Sequence, residues 1–364
     1  MKIIDKYIIK KYLGTLGFML ALLSIIVLVV DVQAKQPRIE SNGFKVSYFL
    51  THYYPFWIIY LIATFMSILV FISVIFFTAR MANNTEIVAI VSSGASFHRF
   101  AKPYLMASLF IASLFLVINH FVLPWSNSKK NTLEAYTYTE DNRNKLIGNA
   151  TISTQLNPNE FLFINNYNKK DKKGTGFLYQ KFDKNKKLLY QLSGMDVNWD
   201  KNKKVFVINN YLQRTLSKND TEILGDGTTT TKSFGHPPEE LFPDELLGQN
   251  KTTPDLIGFI NREKAKGNKN LNTYLNELYQ RTSMPVSIII LTFLALSLSS
   301  QKIRGGLGMN LAIGIALAFV FVFSFEALKV VSANNNLQPL LAMWLPNIVF
   351  GIIALYLYLR RANQ

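Results

Sequence analysis

Six apolar runs limit what this chain can become. Leu13–Val30, Phe56–Phe77, Pro103–Leu123, Met284–Leu298, Leu307–Val331 and Leu341–Leu359 each reach or approach the length of a membrane span. A helix rising ~1.5 Å per residue needs ~20 apolar residues to cross ~30 Å of hydrocarbon. The 364 residues would otherwise suggest two or three soluble domains. The runs overrule that expectation and predict a multi-spanning α-helical membrane protein. They fall as three spans, a long polar stretch, then three spans. The expected units are 1–125 with spans one to three, 126–280 as an inserted domain, and 281–364 with spans four to six.

The N-terminal MKIIDKYIIKKYLGT is basic and then apolar, as a signal peptide would be. Its apolar run is long for that role and no small-x-small cleavage site follows, so it reads as a retained first span. Lysine and arginine in the short connections give the orientation. One side carries Lys2, Lys6, Lys10, Lys11, Arg80, Arg99, Lys102, Lys302, Arg304, Arg360 and Arg361; the other side's short loops carry Lys35, Arg38 and Lys45. Both termini are therefore expected in the cytoplasm and the inserted domain on the far side. That domain's own lysines do not count, because long translocated segments escape the rule.

The domain reads mostly as strands. EFLFINNYN, GTGFLYQKF, KKLLYQLSGMDVNW and KVFVINNYLQRTL are apolar or alternating runs between Asn, Asp, Gly and Lys clusters. This spacing predicts an all-β sandwich or a related open barrel. Two helices are expected to close it: Asp255–Lys264, with Leu256, Phe259 and Ile260 on one face, and a second carrying Leu271, Leu275 and Leu278.

Little of the chain suggests catalysis. The absence of cysteine excludes disulfides, thiolate metal sites and cysteine nucleophiles. His52, His98, His120 and His236 are scattered without metal-ligand spacing. The sequence has no GxxxxGK[ST] loop. GGLGMN at Gly305–Asn310 lacks the lysine and reads as a tight turn with close helix packing. No metal or cofactor is expected in this chain.

Several residues nevertheless carry chemistry. Asp31 closes span one. Glu326 lies inside span five with Lys329 on the same face, where a carboxylate costs a few kcal/mol unless paired or facing a cavity. A Glu326–Lys329 ion pair is the plain reading. Gly308, Ala312 and Ala316 recur every four residues, and this small-residue face suits either packing within the subunit or a dimer seam or gate. Lys35, Arg38 and Lys45 follow span one; they can snorkel to lipid headgroups or hold the phosphates of an anionic amphiphile. Between spans two and three, ANNTEIVAIVSSGASFHRF holds a segment too short to span. Asn83, Asn84 or Thr85 can cap it, Glu86 suits its first turn, and Ile87, Ile90 and Val91 form a stripe before Gly94. An interfacial connector and a handle for a separate motor protein both fit.

The segment is similar to the short cytoplasmic helix of the lipopolysaccharide export permeases of the LptF/LptG (YjgP/YjgQ) type. It matches at Glu86, Ile87, Ile90, Ser92, Gly94 and Ser96. KIIDKYIIKKYL, the VVD at Val29–Asp31 and the late LPNIVFGIIALYL also resemble that family, so the likeness runs the length of the chain. It implies a jelly-roll-like periplasmic domain and a complex with a second, related permease and an LptB-like cytosolic ATPase dimer. The ATPase would hold the ATP and magnesium and would grip the coupling helix, about 84–96. Spans one and five would gate a cavity that takes lipopolysaccharide from the inner membrane. LptC/LptA-like periplasmic bridge proteins would receive it for outer membrane biogenesis. Lys35, and beside it Arg38, match the basic stretch that meets the glycolipid's phosphates. Leu28 stands where some members carry a lysine.

Two other functions compete with an ATP-driven lipid exporter's membrane subunit. A secondary transporter coupled to ions through Glu326 predicts broken, polar helices at mid-membrane and related halves. A mechanotransmission or scaffold protein would contact an ATPase without moving cargo.

Overall fold

The computed structural model describes residues 2–139, 149–168, 171–216, 222–235, 237–241, 247–268, 270–301 and 306–363. His236, Lys302, Arg304 and Gly305 lie outside the described residues.

The first half of the chain forms α1 (Ile3–Ser41), α2 (Val46–His52), α3 (Tyr54–Asn83), α4 (Glu86–Ser92), α5 (Phe97–Val117) and α6 (Leu123–Glu134). Beyond the strands come α7 (Thr253–Lys266), α8 (Asn272–Ser299), α9 (Gly306–Ala333) and α10 (Pro339–Ala362). Among the described residues, six helices are long and apolar enough to cross a membrane, one for each apolar run. Each helix outlasts its run, because hydropathy marks the hydrocarbon and not the helix end. α1 has 39 residues, about 58 Å, and stops only where Gly43 takes φ +80°. The third span continues from α5 through a π turn at Ile118–Val122 into α6. Pro124 explains the turn: its ring clashes with the carbonyl four residues back, that of His120, so the ladder widens there. Gly306–Asn310 forms the first turns of α9 and not the tight turn expected at Gly305–Asn310. Helix propagation from the span outweighs the ~1 kcal/mol that each glycine costs there.

α3 and α8 form the centre of the bundle. Just 6% of α1's most apolar stretch is buried, against 56% for α3 and for α8. Buried hydroxyls bridge neighbours: Ser67 and Ser287 share a hydrogen bond of 2.7 Å, as do Tyr12 and Thr292. Such pairs act as polar glue where lipid supplies no hydrophobic drive. Gly314 lets α9 close on α3, since a Cβ there would lie 2.3 Å from Ile75 Cδ1.

Between the third and fourth spans sits one antiparallel sheet: β1 (Asn149–Asn157), β2 (Glu160–Asn168), β3 (Lys173–Phe182), β4 (Leu188–Asp200), β5 (Val205–Leu216) and β6 (Glu222–Lys232). The strands pair in sequence order. The coarser expectation of an inserted all-β domain holds; among the described residues its arrangement is a six-stranded meander. Leu162, Ile164, Phe177, Tyr179, Phe206 and Ile208 are buried on one core, as the period-two pattern requires. Asp183 and Asp200 tighten two hairpins by accepting from backbone N–H groups of Asn185, Lys187, Asn202 and Lys203 at 2.7–3.1 Å. β1 and β6, the two edges, were not among the expected strands. The expected second helix, with Leu275 and Leu278 in it and Leu271 at its N-cap, is continuous with the fourth span, and α7 packs on it through Leu256, Phe259 and Ile260.

Six crossings leave α4 and both chain ends at one end of the bundle and the sheet at the other. Arg361 near the C-terminus reaches Ser300 at the end of α8, and Lys11 reaches Glu86.

Candidate functional site

The connection between α3 and α5 is 84–96, and the helix inside it is shorter than that whole segment. α4 spans Glu86–Ser92, seven residues. Thr85 precedes it at φ +62° and provides no side-chain cap; Gly94 follows at φ +85°. Two left-handed positions thus bracket the helix and turn it across the bundle's end. Ser96 belongs to the next element: its Oγ caps α5 by accepting from the Arg99 N–H at 3.2 Å. The expected stripe is split. Ile87 is buried in the bundle core and Ile90 packs against it, whereas Val91, together with Val88, faces outward. Val88 and Val91 edge an open groove of about 530 Å³ that also involves Phe97, Gln301 and Arg361.

Glu86 points the other way. Its carboxylate accepts from Tyr7 Oη at 2.7 Å and Asn84 Nδ2 at 3.3 Å, and Lys11 Nζ lies 3.4 Å away. Partial burial pushes its pKa up, but the Tyr7 and Asn84 hydrogen bonds and the Lys11 charge outweigh this and hold it below the usual range. Two further ties hold the same end of α1. Arg99 makes a bidentate pair with Asp5 at 2.7 and 3.0 Å, and Tyr12 bonds Thr292 on α8. The signal for these was present: Asp5, Ile8 and Tyr12 share one helical face, and Tyr7 and Lys11 another. Their partners, more than 70 residues away, were not readable.

At the sheet end, Lys35 pairs with Asp31 at 3.0 Å and lies over the Tyr53 and Trp57 rings, 5.4 Å from each centroid. Asp31 also accepts from Tyr54 Oη at 3.1 Å. Lys35 is therefore already matched, whereas Arg38 and Lys45 extend into the open at this end of α1 and the start of α2. Leu28 packs partly buried near the same aromatic cluster.

Gly308, Ala312 and Ala316 lie on the exposed side of α9, so packing within the subunit does not use them. The inward side is formed by Gly314, Ala318, Phe321 and Phe325. Glu326 and Lys329 line one cavity of about 200 Å³ with Tyr60, Thr64, Asn119 and Gln280. The expected ion pair between them is not formed among the described residues. The charge pair beside this cavity is instead Glu277–Arg281, 3.2 Å apart. His52 stacks on Tyr48 at 4.2 Å, His98 bonds Tyr358 and His120 bonds Thr253, so each described histidine has a structural contact.

Residues 6–360 match the family described as lipopolysaccharide export system permease LptF/LptG. The chain belongs to this family. No curated protein matches it. The family places the six spans in the inner membrane and makes this LptF/LptG permease a transport subunit and not a catalyst. The outward valines of α4 and the small-residue face of α9 are exposed, and α1 is the least buried of the spans.

Proposed function

We propose that this permease is the membrane subunit of an ATP-driven exporter that extracts lipopolysaccharide from the inner membrane and passes it to a periplasmic bridge. In this reading the end carrying both termini is cytoplasmic and the sheet is periplasmic, as the lysine and arginine bias suggests. α4 docks in a cytosolic ATPase dimer that binds ATP and magnesium. A second permease of the same family completes the cavity, with α1 and the Gly308–Ala312–Ala316 face of α9 as its gates. Lys35, Arg38 and Lys45 meet the lipid's phosphates at the outer rim. LptC/LptA-like proteins take the lipid from the sheet.

The observation that carries the reading is the split of α4. Its inner face is locked to the bundle by Ile87 and Glu86, while Val88 and Val91 stay open to solvent at the end away from the sheet. A helix that only rested on lipid would have no need of a polar lock. The test is lipopolysaccharide release from vesicles holding the purified complex. Release that requires ATP is expected. Release driven by an imposed proton gradient without ATP would favour an ion-coupled transporter acting through Glu326.

A further inference from the structure

Glu326 and Lys329 bring opposite charges to one membrane cavity and leave them unmatched. Among the described residues neither forms an ion pair, with the other or with a third group. A charge inside a span is costly unless a partner or a polar cavity meets it. The same cavity, of about 200 Å³, gathers unmet acceptors as well. Asn127 and Gln280 line it, and Asn127 Oδ1 and Gln280 Oε1 are buried without a partner among the described residues. Arg281 does not serve them, because its guanidinium is committed to Glu277, Thr253 and the carbonyls of Gly248 and Lys251. These groups sit at one depth. Asn276 on α8 donates to the Lys329 carbonyl at 3.1 Å. Gln280 is one turn further along α8, and Glu326 is about one turn back on the antiparallel α9, so the two are level.

The unmet groups define the guest. Water would serve the two amide oxygens but would neutralise neither charge. A metal cation would leave Lys329 unmatched, and a simple anion would leave Glu326 unmatched. A guest with N–H donors on a positive end and an anion close by satisfies all four. We infer that the cavity binds the headgroup of an ethanolamine phospholipid, with its ammonium on Glu326, Asn127 and Gln280 and its phosphate on Lys329. A primary ammonium has three N–H donors for those three acceptors. A choline group has none and leaves the buried amide oxygens unmet; a glycerol group carries no cation for Glu326. The volume equals about six or seven waters at ~30 Å³ each, which suits a headgroup and not its chains. Thr64 and Phe65 of α3 and Glu326 of α9 are exposed at its mouth, so the chains stay in the bilayer outside. The site requires only that the spans lie in a membrane, whether or not ATP drives export.

The experiment places the full chain in vesicles of equal parts phosphatidylethanolamine, phosphatidylcholine and phosphatidylglycerol. The protein is lifted out in mild detergent, and the phospholipids that stay bound are counted by mass spectrometry. Phosphatidylethanolamine is expected to exceed each of the others about ten-fold, the ratio that one buried hydrogen bond left unmade accounts for. Glu326→Gln and Lys329→Gln each lower the ratio, and the double variant brings it to about one. Ser324→Ala, on α9 but outside the cavity lining, keeps it. Added phosphatidylethanolamine raises the melting temperature of the parent and not of the double variant. Equal retention of the three lipids by the parent overturns the inference, with no variant needed. So does a preference that survives the double variant. Lipopolysaccharide retained in place of phospholipid, and lost in the double variant, overturns it too and assigns the cavity to the cargo. Failure of ATP-driven release changes none of these outcomes.

Discussion

Gly314 is where a single atom decides the packing of a span. Because a Cβ would fall 2.3 Å from Ile75 Cδ1 in a buried contact, Gly314→Leu should cost about 1–3 kcal/mol by overpacking and lower the melting temperature in detergent. Lys35 is legible in the sequence as a rim cation, but its pairing with Asp31 and its place over Tyr53 and Trp57 are not. Lys35→Asp sets a second carboxylate one turn from Asp31, and weaker lipopolysaccharide crosslinking at span one is expected. Full crosslinking yield would confine Lys35 to holding Asp31 and the headgroup boundary. Glu86 gives a pH signature. Its pKa is lowered in the folded protein, so its contribution is complete above the ordinary carboxylate range and is lost as pH falls through the lowered value. The melting-temperature gap between the parent and Glu86→Gln should be full at neutral pH and should close on acidification. A gap that widened in acid would reverse the sign of the Glu86 contribution.

Among the elements, the spans were readable because lipid demands long apolar runs; their polar extensions were not. In α1, DVQAKQPRIES continues the helix past the hydrocarbon in spite of Pro37, and the chain turns away only at Gly43. The four interior strands alternate as half-buried strands must, whereas β6 does not. EILGDGTTTTK is an exposed edge with no buried face to impose a period, so it left no pattern to read. In α4, Ile87, Ile90 and Val91 lie on one side of the helix, but Ile87 at its start is buried in the bundle while Val91, one turn on, is exposed. α8 offers a sharper test at this scale. Arg281 is buried and reaches Glu277, Thr253 Oγ1 and the carbonyls of Gly248 and Lys251 at 2.9–3.2 Å. It pins the segment before α7 to the fourth span. Arg281→Met leaves these acceptors and a carboxylate without their donor, at a cost of about 3–5 kcal/mol. Limited proteolysis should then cut near residues 248–253; an unchanged digest would show that α7 packing alone holds the segment.

For the molecule as a whole, the exposed apolar faces outnumber what a lone subunit explains. The Gly308–Ala312–Ala316 side of α9 is exposed and the middle of α1 touches the bundle only through half-buried side chains such as Met19, Leu23 and Leu28, while α3 and α8 are enclosed. That asymmetry suits a half-shell whose cavity closes only against a second permease, with the handle at one end and the sheet at the other. The central claim is that this chain works as one of two permeases on a shared ATPase. The most direct measurement is the composition of the complex purified from its native membrane in mild detergent. The account predicts a second six-span permease of the same family together with a cytosolic ATPase. A chain that purifies alone, or with neither of these, would contradict it.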